Sequence, residues 1–309
     1  MLTLLMALLQ QGPALVEPAS TGLSTEGPWA VKVSTTGKFV ALVHLKGVIL
    51  LETSTFKVAR EIEGRWTGLG FDEKDEILTL AGESLVRVNT ATWAELVRGS
   101  LDRALPGHAQ AKALGYGESL VGRAGRVVYV AQKGGLSIAT VVEGKVVCAP
   151  VEVDTQMFDG TKIRRILADT GPALIVQMDD DPRTGVVLLE RKRVYPLAAS
   201  AEPLGAALMG DSVALLCRKD SPSYSTRTWK HQRRKNSGEG NVAGTFDLKR
   251  SLTWAIRGGT LVAWSEVQPE AEIKFPDVKG DFSAMDVSAD GTRLFAVEGK
   301  TLRCWRVKD

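Results

Sequence analysis

The stretch Tyr224–Gly240, YSTRTWKHQRRKNSGEG, is the most distinctive local feature of the sequence. Cationic side chains beside an aromatic ring can hold an acidic protein partner or a phosphate backbone. The polar, glycine-containing end of the stretch predicts a long hairpin that projects from the domain. A solvated hairpin without a ligand would show the same pattern. The candidate partner-binding residues are Arg227, Trp229, Lys230, His231, Arg233, Arg234 and Lys235.

The other residues that could do chemistry form no known catalytic or metal-binding pattern. The three histidines, His44, His108 and His231, have no nucleophile motif such as GxSxG nearby. The run Asp179–Asp181 lacks the alternating oxygen ligands and glycine of an EF-hand loop. We therefore predict no catalytic residues, no metal, no cofactor and no enzymatic activity. A Ser-His-Asp set assembled from distant loops is the alternative.

The cysteines, Cys148, Cys217 and Cys304, are far apart, and none belongs to a CxxC pair. Each sits in an apolar strand-like run, which predicts buried free thiols, and a disulfide between two of them is the alternative. The chain of 309 residues is 44% hydrophobic and 24% charged, with a formal net charge of +3. These values exclude a disordered chain. A pI of about 8.7 lies below the value above about 9 that is typical of nucleic-acid-binding domains. A protein is therefore the expected partner, with a nucleic acid or another polyanion at the basic stretch as the alternative.

Residues 1–12, MLTLLMALLQQG, stand apart from the rest of the chain. The apolar run Leu2–Leu9 is shorter than the ~20 residues needed to span a bilayer. It fits the apolar region of a signal peptide or an extension docked on the domain. We treat residues 1–13 as a separate segment and favour export, periplasmic or secreted, over a cytoplasmic location.

Two hairpin motifs recur along the chain. Residues 30–43, AVKVSTTGKFVALV, match residues 284–297, AMDVSADGTRLFAV, and Phe71–Leu78 occupies the same register. The motifs Glu52–Phe56, ETSTF, and Asn89–Trp93, NTATW, each predict a tight turn between strands. Units of roughly 40 residues with four antiparallel strands are typical of a β-propeller.

The sequence thus predicts an all-β fold with seven four-stranded blades. Six is the alternative, because the boundary between the fifth and sixth units is poorly marked. The last unit, which starts at Phe282, supplies only three strands. We expect residues 14–20 to add its outer strand, where Pro18 is tolerated. Residues 14–309 would then form one propeller domain.

These repeats resemble divergent β-propellers of the WD-repeat and YVTN type, although the Gly-His and Trp-Asp signatures of WD repeats are absent. The resemblance implies a rigid scaffold with binding surfaces at both ends of a central channel. We therefore expect a non-catalytic scaffold for protein–protein interaction that uses residues 224–240. The alternatives are a small-molecule-binding or enzymatic propeller with a site at the channel mouth, and an exported ligand sensor of the cell envelope.

Overall fold

The computed structural model describes residues 13–23, 27–101, 119–122, 125–132, 135–158, 163–178, 184–197, 203–236, 240–269 and 271–308, and the side chains of residues 17, 18, 132 and 234–236 are excepted. The predictions for residues 1–12, for His108 and for Asp179–Asp181 lie outside these ranges. No helix in the described ranges is both long and apolar enough to cross a membrane.

The described strands form seven four-stranded antiparallel sheets, so the predicted number of seven blades is confirmed. Blades 1 and 2 contain β2 (Ala30–Val33), β3 (Phe39–His44), β4 (Gly47–Glu52), β5 (Val58–Glu63), β6 (Trp66–Phe71), β7 (Ile77–Gly82), β8 (Ser84–Asn89) and β9 (Glu95–Ser100). Blades 3 and 4 contain β10 (Ser119–Val121), β11 (Val128–Gln132), β12 (Gly135–Val142), β13 (Lys145–Val151), β14 (Ile163–Asp169), β15 (Ala173–Met178), β16 (Thr184–Leu188) and β17 (Arg193–Leu197), with a short 3₁₀ turn at Gln156–Phe158.

Blades 5 and 6 contain β18 (Pro203–Met209), β19 (Ser212–Cys217), β20 (Asp220–Ser225), β21 (His231–Asn236), β22 (Asn241–Asp247), β23 (Leu252–Arg257), β24 (Thr260–Ser265) and β25 (Glu272–Lys279). Blade 7 contains β26 (Phe282–Val287), β27 (Arg293–Glu298), β28 (Thr301–Lys308) and, from the other end of the chain, β1 (Ala14–Gly22).

Blade 7 is completed by the strand nearest the amino terminus. β1 pairs antiparallel with β28, from Ala14 opposite Lys308 to Gly22 opposite Thr301. The register shifts between Val16 and Ala19. Because the sheet order is β1-β28-β27-β26, β1 is the outer strand of the blade. The two ends of the described chain are therefore held in one sheet.

The hydrophobic core is divided among the seven junctions between neighbouring blades. The second and third strands of most blades are buried on both faces, as in β3, FVALVH, and β27, RLFAVE. Each junction holds its own cluster of buried side chains. Burial of apolar area on both faces of a sheet stabilises the ring at ~25 cal/mol per Å². Among the described residues, the cluster between blades 5 and 6 is the smallest, with Leu216, Ala255, Val262 and Trp264 buried.

The recurring hairpin owes its shape to one hydroxyl and one glycine. The Ser34 hydroxyl accepts a hydrogen bond from the Phe39 amide at 2.9 Å, and the Ser288 hydroxyl accepts one from the Arg293 amide at 3.0 Å. Gly37 and Gly291 have φ values of 75° and 68°. Glycine adopts this left-handed region without a steric penalty, whereas other residues do so at a cost that is smallest for Asn and Asp. The same turn in blade 2 places Asp75 there, at φ 59°.

Two sequence predictions on this part of the chain need correction. Residues 224–236 do not project as an insertion, because β20 and β21 are the third and fourth strands of blade 5, and residues 237–239 lie outside the described ranges. The sixth unit also has a first strand, Asn241–Asp247, that the sequence did not suggest. Its sequence NVAGTFD contains an interior glycine and two polar ends, which weakens a strand pattern.

Candidate functional site

The basic hairpin, residues 224–240, contains a third copy of the turn seen in blades 1 and 2. Ser225–Trp229, STRTW, matches ETSTF and NTATW position by position. In each copy the aromatic amide donates to the carbonyl four residues earlier, at 2.7–2.8 Å. The aromatic residues Phe56, Trp93 and Trp229 all have positive φ, between 54° and 59°. Trp229 therefore belongs to the turn of the blade, and its half-buried ring packs on the core between blades 4 and 5.

The cationic residues around this turn face solvent. Arg227 is exposed and donates to Asp211 at 3.1 Å, with 80% and 78% of the two side chains accessible. Such an exposed pair adds little stability, because water screens both charges. Lys230 is also exposed. Both cations remain accessible to a partner at the turn.

His231 and Arg233, near the start of β21, make different contacts. The exposed His231 ring meets Tyr224 edge-on, with ring centroids 5.7 Å apart. Arg233 is exposed as well, but its Nη1 donates to the Glu266 carbonyl at 3.0 Å and to the Val267 carbonyl. Arg233 thus ties blade 5 to a turn of blade 6. This contact fixes the position of its charge at the junction.

For Arg234 and Lys235, the structure describes the backbone alone. Arg234 pairs with Pro222 and Lys235 with Ser221 in the ladder between β20 and β21. β21 is the outermost strand of blade 5. The structure therefore gathers all seven predicted residues on one turn and one outer strand.

The strand that leads into this hairpin, β20, is unusually polar for a buried strand. β20 has the sequence DSPSYS, and its first five residues are buried. A cavity of about 450 Å³ lies beside it at the junction with blade 6, where Ser223, Gln232, Arg233 and Glu266 are among the lining residues. Burial raises the pKa of the Glu266 carboxyl, against the hydrogen bond from Thr253 and the charge of Arg233. The sequence does not point to Glu266, because its polar neighbours in SEVQPE give no sign that its carboxyl is half-buried.

The mouth of the central channel forms a second candidate site. A cavity of about 520 Å³ is lined there by the first strands and adjoining turns of several blades, including Lys32, Glu73, Asp169 and Asp286. Asp286 accepts hydrogen bonds from the Val33 amide at 2.7 Å and Thr245 at 3.1 Å, and Lys32 lies 3.6 Å away. Its carboxylate therefore links blades 6, 7 and 1.

The described residues provide no group of three or more His, Cys, Asp or Glu side chains that would hold a metal ion. His44 lies at the end of β3, where burial lowers its pKa against the charge of Glu61. The three cysteines are free, with Cys217 and Cys304 buried and Cys148 half-buried. Burial raises the pKa of Cys304 to about 11. A thiol with that pKa is almost entirely protonated near neutral pH and is a poor nucleophile.

Known structures share this fold without sharing much sequence. No protein-family model matches the chain, and no curated protein matches it by sequence. Similar solved structures are the β-propeller domain of Cps50 (Swd1) from Myceliophteria thermophila, with a TM-score of 0.74 at 12% identity, U3-55K, with 0.73 at 8%, and the WD40 repeats of RRP9, with 0.71 at 9%. Each match covers 96% of this chain and 100% of the other. The fold is that of a divergent WD40-like β-propeller.

Proposed function

We propose that this chain is a non-catalytic scaffold that holds an acidic protein partner against the basic hairpin of blade 5. The observation that carries the proposal is the exposure of Arg227, Lys230 and Arg233 on one turn and the outer strand that follows it. Opposite charge on a partner would steer its approach and fix its register.

The position of β21 supports a particular mode of contact. An outermost strand has one edge outside the ladder of its own blade, and an extended peptide can add to such an edge through backbone hydrogen bonds. The cationic side chains would then select an acidic segment over a neutral one. Arg227 and Lys230 contribute at the turn, and Arg233 contributes on the strand.

The repeat offers a matched control for this site. Lys57 follows Phe56 in blade 1 as Lys230 follows Trp229 in blade 5, and both lysines are exposed. We expect the double variant Arg227→Glu and Lys230→Glu to lose partners that the wild-type chain retains in a quantitative affinity pull-down. Lys57→Glu should retain them. A loss of ~1 kcal/mol for each reversed rim charge corresponds to a drop in affinity of about fivefold per charge.

The same experiment has a clear contrary result. Partners bound equally by wild type, by the double variant and by Lys57→Glu would remove the basic hairpin as the interaction site. Circular dichroism and the Tm of each variant would show that the blade is still folded. The reversed side chains are exposed, so the fold should tolerate them.

The channel mouth supports a second candidate function, the binding of a small molecule. Its cavity of about 520 Å³ falls within the ~300–1,000 Å³ that is usual for small-molecule sites. Leu248 lines this cavity and is 54% exposed. A ligand found by thermal-shift screening should lose affinity in Leu248→Glu and keep it in the double variant of the hairpin. Unchanged affinity in Leu248→Glu would contradict a site at the mouth.

A further inference from the structure

A small cavity lies at the junction of blades 2 and 3. Blades 3 and 4 separate it from blade 5 and the basic hairpin. Its volume is about 210 Å³. The lining residues come from β7, β8 and β12 and from two turns: Asp72, Ile77, Arg87, Gly125, Arg126 and Val141. Two arginines therefore face a space that also has an apolar wall, formed by Ile77 and Val141.

Arg87 is held in place but keeps an unused donor. Its Nη2 donates to the Gly125 carbonyl at 3.0 Å, and Thr79 donates to the same oxygen at 2.7 Å. Its Nε is buried and has no hydrogen-bond partner among the described residues. A buried donor on a charged group that stays unpaired costs free energy. The Arg87 guanidinium is therefore only partly satisfied by its neighbours.

The charges around the cavity are also out of balance. Burial lowers the pKa of the Arg87 guanidinium, and the nearby positive charge of Arg126 lowers it further, against the attraction of Asp72. Asp72 already accepts a hydrogen bond from the Ile77 amide at 3.0 Å within its own turn. The lining thus carries two guanidinium groups and one carboxylate, and an added anion would offset the remaining positive charge.

We propose that this cavity binds a small oxyanion, a phosphate or carboxylate group, between Arg87 and Arg126. The planar guanidinium group presents paired N–H donors that match the oxygens of both anions. The space is below the ~300 Å³ of ordinary small-molecule pockets, so it suits a single anionic group or a short molecule that carries one. This site is separate from the scaffold function proposed above and does not depend on it.

Isothermal titration calorimetry on the full chain tests this site with inorganic phosphate and with acetate, against sodium chloride at equal ionic strength. We expect wild type to bind one of the two oxyanions in a 1:1 ratio. Arg126→Gln should weaken that binding at least about tenfold, the loss expected for one hydrogen bond to a charged group. Arg98→Gln is the control, because Arg98 lies in blade 2 with Arg87, is exposed as Arg126 is, does not line the cavity and pairs with Glu95.

The decisive variant is Arg126→Gln, since Arg126 is exposed and its loss leaves the bond from Arg87 to Gly125 intact. Arg87→Gln should abolish binding, and its Tm would show whether the blade still folds. Preference for phosphate assigns a tetrahedral ligand, and preference for acetate assigns a carboxylate. The proposal is overturned if wild type binds neither anion, or if Arg98→Gln and Arg126→Gln weaken binding equally.

Discussion

At the scale of single residues, the unusual groups lie where neighbouring blades meet. Glu266 is a carboxyl at the junction of blades 5 and 6, and its Oε1 accepts a hydrogen bond from Thr253 at 2.5 Å. Burial disfavours the ionised form and raises its pKa. The folded state therefore binds the Glu266 proton more tightly than the unfolded state does. The free energy of unfolding must therefore fall as the pH rises from the pKa of this carboxyl in the unfolded state through its higher pKa in the folded state.

Glu266→Gln tests this sign directly. Glutamine keeps an oxygen for the Thr253 hydroxyl but cannot ionise. Relative to wild type, we expect the variant to be more stable at pH 8 than at pH 5. Urea unfolding at both pH values measures the difference. Glu76→Gln, at an exposed position, serves as the control for removing one carboxyl group. A relative loss of stability for Glu266→Gln between pH 5 and pH 8 would contradict the raised pKa.

At the scale of strands and turns, most of the hairpin chemistry could be predicted from the sequence. Ser34 with Gly37, and Ser288 with Gly291, mark the same turn in blades 1 and 7. The third aromatic turn escaped notice although its letters, STRTW, are in the sequence. Its arginine and the basic residues after it suggested a binding loop, whereas the alternating threonines and the tryptophan define the turn. The sequence prediction therefore gave these residues the wrong local structure, a projecting loop in place of a regular turn of the blade.

The pairing of β1 with β28 can be tested by a cross-strand disulfide. Ala19 lies opposite Cys304, and directly paired Cα atoms fall within the ~4.4–6.8 Å that a disulfide spans. We expect Ala19→Cys to form a disulfide with Cys304 under oxidation, visible by mass spectrometry as the loss of two hydrogens. The oxidised variant should have a higher Tm, because the bridge links the two ends of the ring.

The high pKa of Cys304, about 11, means that this oxidation needs alkaline pH or a catalyst. Ser20→Cys is the matched control. Its partner is Arg303, and successive residues of a strand point to opposite faces. Efficient disulfide formation from Ser20→Cys, with none from Ala19→Cys, would show a different register between the two strands.

At the scale of the whole molecule, the seven junctions explain why the ring could be predicted and its surfaces could not. Repeated apolar strands need a neighbour on each face, and ring closure supplies one for every blade. The periodicity of the sequence carries that information. The cavities depend on side chains from different blades, such as Arg87 and Arg126, or Arg233 and Glu266. No spacing along the chain records such contacts.

The proposed scaffold function requires an acidic partner to dock on the basic hairpin of blade 5. Site-specific photocrosslinking from position 230, compared with position 57 on the matching turn of blade 1, measures this contact most directly. We expect position 230 to crosslink to a segment rich in Asp and Glu, raised salt to weaken the crosslink, and position 57 to give no crosslink to the same protein. Equal crosslinking from both positions, or crosslinking from position 57 alone, would contradict it.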